Sequence, residues 1–80
     1  FTNAPRAYAV RVIDHLGIAP HIDGVFAVED ADHWPKPMEK TYDLFLKAFD
    51  VTPQRACMVE DMDVNLVPAH ARGMTTVWLH

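Results

Sequence analysis

Met58-Val59-Glu60-Asp61-Met62-Asp63-Val64-Asn65 is the stretch on which the fold turns, because an apolar run ends there abruptly in a cluster of carboxylates. Three acids within four positions, Glu60, Asp61 and Asp63, repel one another unless a cation or basic group stands between them. Oxygen donors suit a hard cation, so Mg2+ is the first candidate partner. Ahead of the cluster, Arg55 to Val59 reads as a short buried strand. Behind it, Asn65 is a suitable cap for a helix beginning at Leu66 and closing at Gly73, with Pro68 tolerated in the first turn. Carboxylates at the C-terminal end of a strand, just before a helix, stand where open α/β sheets place their chemistry.

Working outward, the same rhythm recurs. Phe1-Thr2-Asn3 reads as the tail of a strand. Asn3 then serves as a cap for a helix in which Tyr8, Val12 and Leu16 recur on one face and Gly17 ends the last turn. Gly24-Val25-Phe26-Ala27-Val28 reads as a second strand with Glu29, Asp30 and Asp32 past its end. His33-Trp34-Pro35-Lys36-Pro37 is a loop, since each proline disfavours helical geometry in the residue before it. Tyr42, Phe45, Leu46 and Phe49 mark one face of a helix from Glu39 to Phe49, and Met74 to Leu79 is a last strand. Alternating strands and helices with short links predict an α/β fold with a parallel sheet and helices on its faces.

Composition narrows the function. The 80 residues allow one small domain; 50% are hydrophobic, 22% are charged and the formal charge is -4. Without a basic run to neutralise phosphates, nucleic acid is excluded as the main partner. No uninterrupted apolar stretch is long enough to span a bilayer. The single cysteine, Cys57, cannot form an internal disulfide and is expected as a small buried core residue in a reducing compartment, hence a cytoplasmic protein. The five histidines lack metal-ligand spacing, which argues against zinc.

Three groups fall just past strand ends: the Thr2 hydroxyl with Asn3, the Lys36 ammonium, and the Glu60-Asp61 carboxylates. A parallel sheet gathers such loops on one edge. Hydroxyl and backbone N–H groups hold phosphoryl oxygens, an ammonium offsets developing charge and a carboxylate anchors Mg2+, so the trio suits phosphoryl transfer. Taken singly, each has a plain structural reading: Thr2 as a strand-end or capping residue, Lys36 as a solvated loop lysine, Glu60 and Asp61 as acids at a helix N-terminus. Trp34 either stacks on a substrate base or packs under its loop. Glu29, Asp30 and Asp32 form either a solvated acidic turn or a lining of the active edge, and Trp78 is expected in the core.

Phe1-Thr2-Asn3, Pro35-Lys36-Pro37 and Val59-Glu60-Asp61 through Asn65, followed by Ala71-Arg72-Gly73-Met74-Thr75-Thr76-Val77, resemble motifs II, III and IV of the haloacid dehalogenase (HAD) superfamily. Phe1-Thr2-Asn3-Ala4, Gly24-Val25-Phe26 and Glu29-Asp30-Ala31-Asp32 are similar to its pyrimidine 5'-nucleotidase branch. The resemblance implies a doubly wound, three-layer, Rossmann-like core, of which residues 1–80 are the C-terminal part. It implies that Thr2 binds the transferring phosphoryl group with the Asn3 backbone, and that Lys36 stabilises nucleophile and phosphoryl oxygens. Asp61 would ligate Mg2+, with Glu60 beside it acting through water; Asn65 stands where many relatives carry another acid.

The family works through an aspartate nucleophile in a D-x-D motif, on a strand ahead of the motifs seen here, and usually a cap; neither is found in residues 1–80. Asp30-Ala31-Asp32 shares that spacing but follows the wrong strand, so the chain alone is expected to form no aspartyl-phosphate. The implied activity is Mg2+-dependent hydrolysis of a small phosphomonoester, foremost a pyrimidine nucleoside 5'-monophosphate. The alternatives are a sugar-phosphate or phosphoglycolate phosphatase, and a non-catalytic fragment that binds Mg2+, phosphate or a partner chain. Receptor-like phosphoacceptor domains use similar groups in another order. Without a central strand, self-association or pairing with an N-terminal segment is expected.

Overall fold

The computed structural model describes all residues 1–80. Its regular elements are α1 (Arg6–Leu16), α2 (Glu39–Ala48), β1 (Cys57–Glu60), α3 (Val67–Ala71) and β2 (Thr75–Trp78), joined by single-turn 3-10 segments. β1 and β2 form a two-stranded parallel sheet in the register Cys57 to Thr75 through Glu60 to Trp78. The strand–helix–strand order with parallel pairing is the α/β arrangement the alternation predicts.

β1 buries one side chain, Met58, between exposed Cys57 and Val59, because successive strand residues face opposite ways. Beneath Met58, the α2 and α3 side of the sheet is filled by Tyr42, Leu66, Ala69 and Met74, with Phe1, Leu46 and Ala56 packed around them. Arg72 ties the two helices: its guanidinium donates to both carboxylate oxygens of Asp43 (2.8 and 3.1 Å) and to the carbonyls of Pro68 and Glu39. This pairing holds the Asp43 carboxyl below its ordinary range and raises Arg72 further.

Several expectations are corrected. Cys57 is exposed, since the alternation that turns Met58 inward turns it out. Trp78 is half exposed as well, at the last position of β2, and its Nε1 donates to the Asp61 carbonyl (3.0 Å). Gly24 to Val28 builds no strand ladder with Phe1 to Asn3. Two backbone bonds join these runs, Thr2 N–H to Phe26 O (2.9 Å) and Val28 N–H to Ala4 O (3.2 Å). Pairing stops there because Thr2 Oγ1 accepts the Ala4 N–H and turns the chain, while Val28 enters a 3-10 turn. Stacked rings hold the run instead: Phe26 meets Phe45 edge-on at 5.5 Å, and Phe45 stacks on Phe1 at 4.7 Å. Gly24 makes room for this packing, since a Cβ there would lie 2.6 Å from the Phe49 ring and the ring would have to shift.

The helix caps differ too. Asn3 does not cap α1; Pro5 occupies that position, and the Glu29 carboxylate accepts the Arg6 N–H through both oxygens (2.9 and 3.2 Å). Those backbone donors hold the Glu29 carboxyl below its ordinary range, the Glu29 N–H ahead of the Arg6 N–H. Asn65 does not cap α3, because a 3-10 turn over Asp63–Leu66 already brings the chain into helical geometry. Gly17 ends α1 in the left-handed region, φ 71°, as expected. No helix is long and apolar enough to cross a membrane.

Candidate active site

The C-terminal end of β1, the turn at Thr2 and the Pro35-Lys36-Pro37 loop meet around an open cavity of about 620 Å³. Thr2, Asn3, Lys36, Glu60, Asp61 and Asn65 all line it. Residues separated by more than thirty positions in sequence thus share one space, with Phe1, Val59, Met62 and Leu79 as its apolar wall.

Each polar group has a defined state. Thr2 Oγ1 accepts the Ala4 N–H at 3.0 Å, which leaves its own O–H to donate elsewhere. The Asn3 N–H donates to no group of the chain. Lys36 Nζ, 7% exposed with its side chain, donates to Glu60 Oε2 at 2.6 Å and to the Phe1 carbonyl at 3.2 Å. An ammonium carries three donors, so one remains for a ligand. The Phe1 ring lies 4.9 Å below the same nitrogen. Burial alone would push the Glu60 carboxyl up; the Lys36 ammonium, with the Met62 N–H, outweighs it and holds it below the ordinary range.

Glu60 is therefore answered by Lys36 within the fold. Asp61 is exposed and its carboxylate accepts no hydrogen bond from the chain, so it is the acid of the cluster left for a ligand. Asp63 is used locally, accepting the Val64 N–H (2.8 Å). Buried Asn65 is held through its main chain, whose carbonyl accepts the Tyr42 O–H. Burial, with Glu60 nearby, pushes the Tyr42 phenol up to about 12.

Other candidates stand apart. The Arg6 guanidinium pairs with Asp30, Asp30 also accepts the Ala27 N–H, and Glu29 caps α1, so neither acid lines the cavity. Trp34 lies outside it, with the Lys40 ammonium over its ring at 5.4 Å. His33 is likewise absent from the lining. Two contributors are missing from the sequence reading. Tyr42 looks like one more apolar residue of a helical stripe, and nothing in its spacing marks the hydroxyl bond to Asn65. The Asn3 carboxamide, expected as a cap, reaches the Lys36 main chain.

The family model for haloacid dehalogenase-like hydrolases matches residues 1–71. The chain belongs to this family. It is similar to fructose-1-phosphate phosphatase YqaB of Escherichia coli (strain K12), with 32% identity over 76 residues, covering 95% of the chain and 40% of that relative. The chain therefore spans about 40% of the length of the relative it matches.

Proposed function

We propose that residues 1–80 form the phosphate-handling part of a HAD-type phosphomonoester hydrolase. The observation that supports it most is the meeting of Thr2, Lys36 and Asp61 around one cavity in a member of this family. In this reading the Thr2 O–H and the Asn3 N–H donate to non-bridging phosphoryl oxygens. Lys36, held by Glu60, directs its remaining donor at the same oxygens and opposes the charge that builds on them. Water adds to phosphorus overall, the ester P–O bond breaks, and the alcohol leaves with a proton.

In this reading Asp61, whose carboxylate accepts no hydrogen bond from the chain, would ligate Mg2+, with Glu60 acting through water and Asn65 lining the same cavity; no group of three acidic, histidine or cysteine side chains converges there. When bound there, Mg2+ offsets phosphoryl charge. The nucleophile lies outside these residues, so the 80-residue chain by itself is inactive.

For the substrate, the similarity to a protein named fructose-1-phosphate phosphatase favours a sugar phosphate. The pyrimidine 5'-nucleotide reading rests on the resemblance of Phe1-Thr2-Asn3-Ala4 and Glu29-Asp30-Ala31-Asp32, and gains nothing from Trp34, which is away from the cavity. Phosphate release from fructose 1-phosphate, phosphoglycolate, UMP and CMP, by the full-length polypeptide containing residues 1–80, separates the two. Highest kcat/KM on the sugar phosphate supports the first reading; preference for UMP or CMP supports the second. Retention of full activity in Asp61→Ala on every substrate would remove Asp61 from the mechanism, against an expected loss of about 10²–10³-fold or more.

A further inference from the structure

The loop that carries Lys36 has few means of being held. Pro35 and Pro37 lack an N–H, so across residues 35–37 the main chain offers one donor, that of Lys36. That donor goes to Asn3 Oδ1 at 2.7 Å, and Asn3 Nδ2 donates back to the Lys36 carbonyl at 3.2 Å. One carboxamide thus pairs with both main-chain groups of one residue, as a neighbouring strand would. Asn3 is itself fixed, because Thr2 before it is bonded to Phe26 and Ala4 after it to Thr2 and Val28.

We propose that the Asn3 side chain is a clamp that fixes the Lys36 main chain relative to Thr2, and so sets where the Lys36 ammonium stands. Asn3 is then a positioning residue, distinct from the phosphate contact expected of its N–H. The stem of Lys36 starts from a pinned Cα, and its nitrogen ends between Glu60 and the Phe1 carbonyl. Truncation of Asn3 frees the loop between its prolines and lets the ammonium leave that pair, with Thr2 and Glu60 still in place. The clamp stands on hydrogen-bond geometry; only its consequence for turnover rests on the proposed phosphatase function.

Asn3→Ala and Asn3→Asp are compared with wild type in the full-length polypeptide. Amide exchange at Lys36 is expected to rise about five- to tenfold in Asn3→Ala, with the Met38 amide, bonded to Pro35, as the reference in the same loop. Asn3→Asp keeps an acceptor for the Lys36 N–H and so keeps its protection. Acetylation of the Lys36 amine should rise in Asn3→Ala while Lys40 and Lys47 react as before. With an active enzyme, kcat should fall more than KM rises, and Asn3→Asp should recover part of it.

Wild-type exchange or wild-type acetylation at Lys36 in Asn3→Ala overturns the clamp. If Asn3→Ala does not fold, loss of Lys36 protection in Asn3→Asp overturns it and retention supports it. If exchange and acetylation change but kcat does not, the positioning role in turnover is refuted. If wild type hydrolyses no phosphomonoester, the proposed function fails and the exchange and acetylation results still decide the clamp.

Discussion

α1 and α2 are both amphipathic helices of similar length, yet they fare differently. α2 sinks Tyr42 to 1% exposure against Met58, Leu66 and Ala69, whereas α1 buries no residue and leaves Tyr8 and Leu16 more than half exposed. The periodicity of a helix states which face seeks a partner and does not state that a partner is present. β1 repeats the contrast on its two faces, with Met58 buried and Val59 55% exposed. The cavity lies between these two regimes: Lys36 and Glu60 are nearly buried, while Asn3 and Asp61 are open to solvent.

Substitutions sharpen the contrast. Met58→Ala, on the packed side, is expected to lower unfolding free energy by about 2–4 kcal/mol in denaturant titration, through lost burial and the cavity left behind. A change below about 1 kcal/mol would mean that the side chain meets less packing than its exposure indicates. Tyr42→Phe removes the donor to the buried Asn65 carbonyl and is expected to destabilise by about 1–2 kcal/mol. If Asn65 also supports the site, Mg2+ dependence should weaken in the same variant. Arg72→Ala should cost about 1 kcal/mol, because three of its acceptors are solvent-facing.

Acid acts on the same tie between helices. The Asp43 carboxyl is depressed by Arg72, so its contribution is complete above the ordinary value of 3.8 and is lost as pH falls through the lower folded value. Wild type should therefore lose stability toward acid more steeply than Asp43→Asn, in thermal melts between about pH 5 and pH 2. Leu16→Ala, on the unpartnered face of α1, should change stability by less than about 0.5 kcal/mol. A larger loss would show that this face is covered in solution, by a second copy or another segment of the polypeptide. Concentration-dependent light scattering distinguishes these.

Much of the fold is legible in the sequence where local and tertiary signals agree. Gly17 ends its helix, the stripe of α2 faces the core, and the two runs flanking the carboxylates pair in parallel. Phe1, Thr2, Asn3, Lys36, Glu60 and Asp61 line one space, and the family model spans the motifs that carry them. What escapes is set by distant partners. Asn3 has every local feature of a cap, but its carboxamide bonds Lys36, while Glu29 caps the helix from 23 residues away. Cys57 reads as core because its run is apolar, yet its parity in the strand turns it outward. Gly24 to Val28 is apolar enough for a strand, but aromatic stacking and a lack of pairing length leave it without a ladder.

Under the proposed function Lys36, fixed at the mouth of β1 and paired to Glu60, acts on a phosphoryl group. The most direct test of this role is Mg2+-dependent phosphate release by the full-length polypeptide containing residues 1–80, wild type against Lys36→Ala, with fructose 1-phosphate and UMP as substrates. Wild type is expected to turn over in a way that chelation abolishes, and kcat to fall about 10²–10³-fold in the variant with the fold retained. Equal turnover by wild type and Lys36→Ala, or none by wild type on any phosphomonoester, would contradict it.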